Sequence, residues 1–199
     1  MVSAAEQLAK NMSFSSFGKA KELRQRIFFA LGSLIIYRFA TYVPLPGIDP
    51  SILRDIFTQL QQQGGVINMF NAFSGGALSR MSIIALNIMP YISASIIMTL
   101  LTSMSPSLAT LKKEGERGRK KINQYTRYGT VLLTVLQGYA LAVGLETMTG
   151  SGGLSAVVDP GMFFRITTVI TLVGGTMFLM WLGEQITARG IGNGISLII

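Results

Sequence analysis

Residues 67–104 read INMFNAFSGGALSRMSIIALNIMPYISASIIMTLLTSM. The first piece, residues 67–73, is apolar but too short to cross a bilayer, whereas Met81–Met104 carries no charge and is long enough. A Gly-Gly pair lies between the two pieces. Non-helical backbone persists at membrane depth only where it is buried in protein or lines a cavity. A short apolar segment hinged to a full span therefore predicts a pathway through a membrane.

The composition of the whole chain indicates the same solvent. Of its 199 residues, 49% are hydrophobic and 13% are charged, whereas about 25% are charged in a typical soluble domain. The chain has no cysteine and no histidine, which excludes disulfides, thiol chemistry and the usual zinc sites. The apolar runs contain no paired carboxylates either. We therefore predict an all-α, polytopic membrane helix bundle with no catalytic residue, no metal site and no cofactor.

The apolar runs predict four complete spans and the start of a fifth. The expected spans are 27–46, 81–104, 128–146 and 162–182, with a fifth over 191–199. The expected connecting segments are 1–26, 47–66, 105–127, 147–161 and 183–190, and 67–80 forms the half-segment and its hinge. Pro44 and Pro46 should end the first span, and Pro90 should kink the second. Because the sequence is still apolar at Ile199, we expect a fragment of a longer protein.

The basic residues predict the orientation of the spans. The net charge is +8, and twelve of the 17 basic residues lie in segments 1–26 and 105–127. Basic loops resist translocation and remain cytoplasmic. With the N-terminus inside, the inner segments hold thirteen basic residues, and the outer segments, counted as 47–80 and 147–165, hold three. We therefore predict a cytoplasmic N-terminus.

The second basic segment is a candidate interaction surface. Its cytoplasmic basic loop contains Lys112, Lys113, Arg117, Arg119, Lys120 and Lys121. Such a loop typically sets topology and touches anionic lipid headgroups, and it could also dock a cytosolic partner. Aromatic side chains are not interleaved with these charges, so we do not expect direct nucleic-acid recognition.

Several other features have ordinary explanations. Arg38 lies in the second half of the first span, where its side chain can reach the interface. The glycine-rich run 190–194 lacks the Lys-Ser/Thr of a phosphate loop and is expected to be a turn. Glu146, Asp159 and Glu184 fall at predicted span ends, where carboxylates are usually solvated. Small residues within the spans predict close helix packing: Gly129, Gly138, Ala142, Gly174 and Gly175.

Two isoleucine pairs share a helical spacing. Ile88 and Ile92 are four residues apart, as are Ile195 and Ile199, so each pair lies on one helix face. By spacing alone, such pairs usually face lipid or a neighbouring helix.

Four stretches closely resemble the SecY family: residues 44–49 (PLPGID), 69–97, 112–129 and 175–196. That family forms the central subunit of the bacterial protein-conducting channel. The resemblance is continuous along the chain and corresponds to the first half of the family's ten-span, inverted-repeat fold. It implies a multi-pass protein of the bacterial cytoplasmic membrane that passes unfolded preproteins and releases helices sideways.

The resemblance assigns roles by position. Residues 67–78 would form the plug, a re-entrant half-helix, and its hinge: Ile67, Met69, Phe70, Phe73, Gly75 and Gly76. The hydrophobic pore ring would include Ile88, Ile92, Ile195 and Ile199, and one wall of the lateral gate would include Ser93, Ile96 and Thr99. An apolar ring offers no hydrogen bonds to a passing chain and can gate ions by dewetting. The implied partners are SecE, SecG, preproteins and membrane lipids, with the motor SecA and the ribosome docking mostly on later loops.

Two other classes remain open at this stage. A secondary transporter for a small solute would also use broken helices and a midplane site. Such a site needs coordinating polar groups, and the spans offer few beyond Asn87 and scattered hydroxyls. An insertase or membrane scaffold without a pore is the third class, and it would show no conductance.

Overall fold

The structure, a computed structural model, describes residues 21–62, 76–149 and 153–199. Its helices are α1 (Lys21–Ala40), α2 (Pro50–Gln62), α3 (Met89–Met104), α4 (Pro106–Lys113), α5 (Glu116–Thr147), α6 (Met162–Arg189) and α7 (Gly194–Ile198). Extended pairing within these ranges is limited to isolated bridges. The predicted all-α class is therefore confirmed.

The antiparallel pair α5 and α6 is the framework of the fold. Each is long and apolar enough to cross a membrane, and α3 with α4 adds a third such element if this pair, bent by 101°, counts as one span. The buried face of α5 is made mostly of small residues: Gly118, Thr126, Thr130, Thr134, Gly138, Ala142 and Leu145. A Cβ on Gly138 would lie 3.4 Å from Leu172 Cδ1. Small residues thus let α5 approach α6 closely, as expected.

The second predicted span differs most from expectation. A helix was expected from Met81 with a kink at Pro90, but α3 begins only at Met89. Residues 76–88 instead form successive turns, with positive φ at Met81 (41°) and Asn87 (50°). Pro90 lies in the first turn of α3, where its missing N–H would have no partner within the helix. The proline therefore marks a helix start and not a kink.

The first predicted span also ends earlier than expected. The helix α1 stops at Ala40, before Pro44 and Pro46 are reached. The chain leaves the helix because Val43 and Leu45 pair with the turns of residues 76–88 through backbone hydrogen bonds. Four basic residues also lie in α1, and it is not among the described helices that meet the length and apolarity of a span.

Three predicted connecting segments are largely helical. Segment 47–66 contains α2, whose apolar face buries Leu53, Ile56 and Phe57. Segment 105–127 contains α4 and the first turns of α5, because Lys, Arg and Gln are good helix formers. Segment 183–190 continues α6 as far as Arg189. The polar composition of these segments predicted loops, but polar residues also form helices.

Candidate functional site

The irregular segment 76–88 lies inside the bundle. Met81, Ile84 and Ile88 are almost completely buried. A Cβ added to Gly175 of α6 would overlap the Ile83 carbonyl oxygen and lie 3.3 Å from Ile84 Cγ2. Only glycine therefore lets α6 approach this backbone. Non-helical backbone buried in protein is the arrangement that a membrane interior tolerates.

Backbone groups of this segment find partners in neighbouring chain. The Leu45 N–H donates to the Met81 carbonyl at 2.8 Å, and the Ile83 N–H donates to the Val43 carbonyl at 2.9 Å. Further bonds close turns within residues 76–88 itself. The segment is thus a fixed part of the core.

Most predicted plug residues lie outside the described ranges: Ile67, Met69, Phe70, Phe73 and Gly75. Gly76 is described, and its φ of +82° favours glycine. The Arg80 guanidinium lies near it and sits 4.3 Å from the centroid of the Tyr42 ring. Gly76, the second residue of the predicted Gly-Gly hinge, thus has a backbone conformation that favours glycine.

The four predicted pore-ring residues lie at the start of α3 and on or directly after α7. Ile88 immediately precedes α3, is 1% exposed, and accepts the Ile92 N–H at 3.1 Å. Ile92 and Ile195 are half-buried, and Ile199 is 53% exposed. Ile195 lines one groove, of about 620 Å³, together with Tyr91, which lies between Ile88 and Ile92 in sequence. Residues at the start of α3 and at the start of α7 thus line the same groove.

An ion pair that was not predicted lies in this groove. Arg127 of α5 donates from Nη2 to both Glu184 carboxylate oxygens at 2.6 Å and from Nε to Oε1 at 3.0 Å. Glu184, on α6, was expected to be solvated. The sequence did contain one indication of this pair, because two opposite charges lie at the predicted cytoplasmic ends of consecutive spans. Antiparallel packing brings such ends together.

A second ion pair joins the same two helices at their other end. Arg165 donates to Glu146 Oε2 from Nη2 at 2.7 Å and from Nε at 2.9 Å. The Gly161 N–H donates to Glu146 Oε1 at 3.0 Å, and the Glu146 side chain is only 10% exposed. Glu146 is therefore a packed structural carboxylate and not a solvated one.

The predicted lateral-gate residues do not share one environment. Ser93 is half-buried, Ile96 is 56% exposed and Thr99 is exposed. Thr99 lines a groove of about 210 Å³ between α3 and α5, to which Lys112 and Arg119 also contribute. The other four predicted basic residues are exposed on α4 and the first turns of α5: Lys113, Arg117, Lys120 and Lys121. Of the three predicted gate residues, Ile96 thus contributes exposed apolar surface.

Across the described ranges, no group of three or more His, Cys, Asp or Glu side chains could hold a metal ion. The chemical features of the described residues are apolar surfaces, polar grooves and ion pairs.

Comparison with known sequences identifies the relatives of this chain. The sequence profile described as SecY matches residues 82–199. The chain is 58% identical over 185 residues to the protein translocase subunit SecY of Escherichia coli K12, covering 93% of this chain and 41% of that protein. It is 53% identical to the corresponding subunit of Pseudomonas aeruginosa over 188 residues, covering 94% and 41%. The chain thus spans about 41% of the length of these relatives.

Solved structures agree at the level of the fold. A structure described as a protein-conducting channel aligns with a TM-score of 0.59 at 17% identity, covering 88% of this chain and 35% of that chain. Sec61 in the canine ribosome–channel complex from the endoplasmic reticulum also aligns with a TM-score of 0.59 at 17% identity, covering 89% and 35%. The helical arrangement is therefore that of part of a channel fold.

Proposed function

This chain belongs to the SecY family, and from that premise we propose that it forms the first half of a protein-conducting channel. The complete channel would pass unfolded preproteins across the bacterial cytoplasmic membrane and release apolar helices sideways. The observation that carries this proposal is the buried, non-helical segment 76–88, which leads into α3 inside a bundle of apolar helices. No bond in the substrate is broken, so the proposal needs no catalytic residue.

The proposed pore ring is supported by its placement. Ile88, Ile92 and Ile195 lie where α3 and α7 begin, and these beginnings flank one groove. Branched apolar side chains at a constriction exclude water and ions without recognising sequence. The remaining ring members would come from the second half of the fold.

The proposed plug, gate and partners complete this function. The plug would be carried by residues 67–78, with Gly76 at its hinge, and the gate wall would be the exposed face of α3. We further propose that SecE and SecG assemble with the complete protein, and that SecA or the ribosome supplies the chain. The basic surface on α4 and α5 would face the cytoplasm and touch anionic lipid headgroups.

Reconstitution tests the function directly. The full-length protein with its partner subunits is placed in proteoliposomes, and import of an unfolded preprotein is measured together with ion conductance. Preprotein transport that depends on the motor supports the channel. Uptake of a small solute without preprotein transport would identify a transporter, and membrane insertion without conductance would identify an insertase or scaffold.

Ring and plug have separate tests. Polar substitution of Ile88 and Ile92 should raise the resting conductance, and unchanged conductance and secretion would contradict the ring.

Cysteines at Phe70 or Phe73 should crosslink to the pore only in the closed state. The absence of native cysteine from this chain keeps that crosslink specific.

A further inference from the structure

We propose that the Arg127–Glu184 ion pair positions the two parts of the pore ring that this chain carries. We call them the α3 arm, with Ile88 and Ile92, and the α7 arm, with Ile195 and Ile199. The pair would do so by fixing the spacing between the start of α3 and the start of α7. This inference rests on the proposed channel function. The pair makes three hydrogen bonds between α5 and α6 and lies in the groove that Tyr91 and Ile195 also line.

The α3 arm is tied to α5 close to Arg127. A Cβ on Gly129, two residues along α5, would lie 3.6 Å from the Ala94 Cβ of α3. Tyr91, in the first turn of α3, lines the same groove as Arg127 and Glu184. Because α5 and α3 touch here, a displacement of α5 at Gly129 would move the start of α3, which carries Ile92.

The α7 arm is tied to α6 next to Glu184. A Cβ on Gly183 would lie 3.2 Å from Ile195 Cγ1, and a Cβ on Gly194 would overlap the Gly183 carbonyl oxygen. The Gly194 N–H also donates to Thr187 Oγ1 at 2.8 Å. The start of α7 is thus fixed to the turn of α6 that carries Glu184.

The ion pair therefore lies between two close helix contacts, one holding each arm. Its side chains are 48% and 35% exposed, so its contribution to unfolding stability is small. Its bidentate geometry, however, restricts the relative orientation of the two helices. Loss of the pair should consequently change the spacing of the arms, while the amount of folded protein stays nearly the same.

The test uses the full-length protein with its partners and two readouts. The first is the resting ion conductance in planar bilayers of Arg127→Met, Glu184→Gln, Arg127→Lys and the exchanged pair Arg127→Glu with Glu184→Arg. The second is the distance between spin labels on Met89→Cys, at the start of α3, and Ser196→Cys of α7, which are both exposed. The matched control is Glu146→Gln, which disrupts the other ion pair between the same two helices.

We expect the two neutralising variants to raise resting conductance several-fold and to shift or broaden the label distance. Arg127→Lys, which keeps the charge but loses the fork, should give an intermediate value, and the exchanged pair should restore both readouts. Glu146→Gln should leave both unchanged. The positioning role is wrong if neutralisation changes neither readout, or if Glu146→Gln causes an equal leak. A shifted distance in a protein that transports no preprotein would support the positioning role and contradict the channel.

Discussion

Residues 76–88 and the pair α5–α6 are both apolar and both contribute to the core, yet only the pair is helical. The backbone of α5 and α6 is satisfied within each helix, and small residues such as Thr130, Thr134 and Gly138 form the contact. The backbone of 76–88 instead bonds to Val43 and Leu45 and within its own turns. Apolarity therefore predicts burial in both regions, whereas helicity depends on whether another segment can supply hydrogen bonds.

The largest effect is expected where the two regions touch. Gly175→Ala would place a Cβ against the Ile83 carbonyl oxygen, a backbone atom that cannot turn away. Overpacking of this kind should cost about 3 kcal/mol, which thermal unfolding of the complete protein in detergent would measure.

The neighbouring Gly174 is the matched control, since a Cβ there would meet no atom within 4 Å. Gly174→Ala should be neutral or slightly stabilising, because alanine favours helix over glycine. Equal destabilisation by both variants would mean that 76–88 does not approach α6 as described.

The same contrast explains what the sequence could predict. Small residues at helical spacing predicted the close contact of α5 with its neighbours, and Gly138 and Ala142 lie there. Gly174 and Gly175 face different directions because they are adjacent in a helix. The sequence pattern did not indicate which of the two faces the core. Long apolar runs indicated the apolar parts of α5 and α6, since each such helix satisfies its own backbone, whereas residues 116–127 and 183–189 of these helices were expected to be connecting segments.

Residues 76–88 could not be predicted because their structure depends on distant chain. The pairing of Val43 and Leu45 with the turns is a tertiary contact between segments about forty residues apart, and local propensity carries no sign of it. Apolar composition alone therefore favoured continuing the helix back to Met81. The ion pairs were missed for a similar reason, because they require the antiparallel packing of α5 on α6.

A second, smaller effect is expected at the outer end of the helix pair. Arg165→Met would leave the Glu146 carboxylate, 10% exposed, with only the Gly161 N–H as a described partner. A nearly buried charge that loses its counterion is destabilising, so Tm should fall by several degrees. The exposed pair of Glu22 with Arg26 is the control, and Glu22→Gln should hardly change Tm. Equal shifts would show that burial does not distinguish the two pairs.

Glycine and alanine substitutions should have opposite orders of stability in the two regions. At Asn87, where φ is +50°, glycine should be better tolerated than alanine by about 1 kcal/mol, because a Cβ disfavours the left-handed region. At Gln137, exposed within α5, alanine should be better than glycine by a similar amount. Thermal unfolding of the four variants measures both orders. The same order at both positions would contradict the turn at Asn87.

The smallest effect concerns the chain that continues from Leu45 into α2. Asp49 accepts hydrogen bonds from the Ser51 N–H at 2.9 Å and from its hydroxyl at 2.6 Å, and these bonds lower the pKa of the Asp49 carboxyl. A carboxyl whose pKa is lower in the folded state stabilises α2 above the ordinary aspartate pKa of about 4, and this contribution is lost as pH falls through the lower folded value. The protection of the amides of residues 51–58, corrected for the intrinsic pH dependence of hydrogen exchange, should therefore decrease slightly as the pH falls below about 4. Asp49→Asn should remove that pH dependence while leaving exchange in α5 unchanged, and an unchanged dependence would mean that Asp49 does not cap α2.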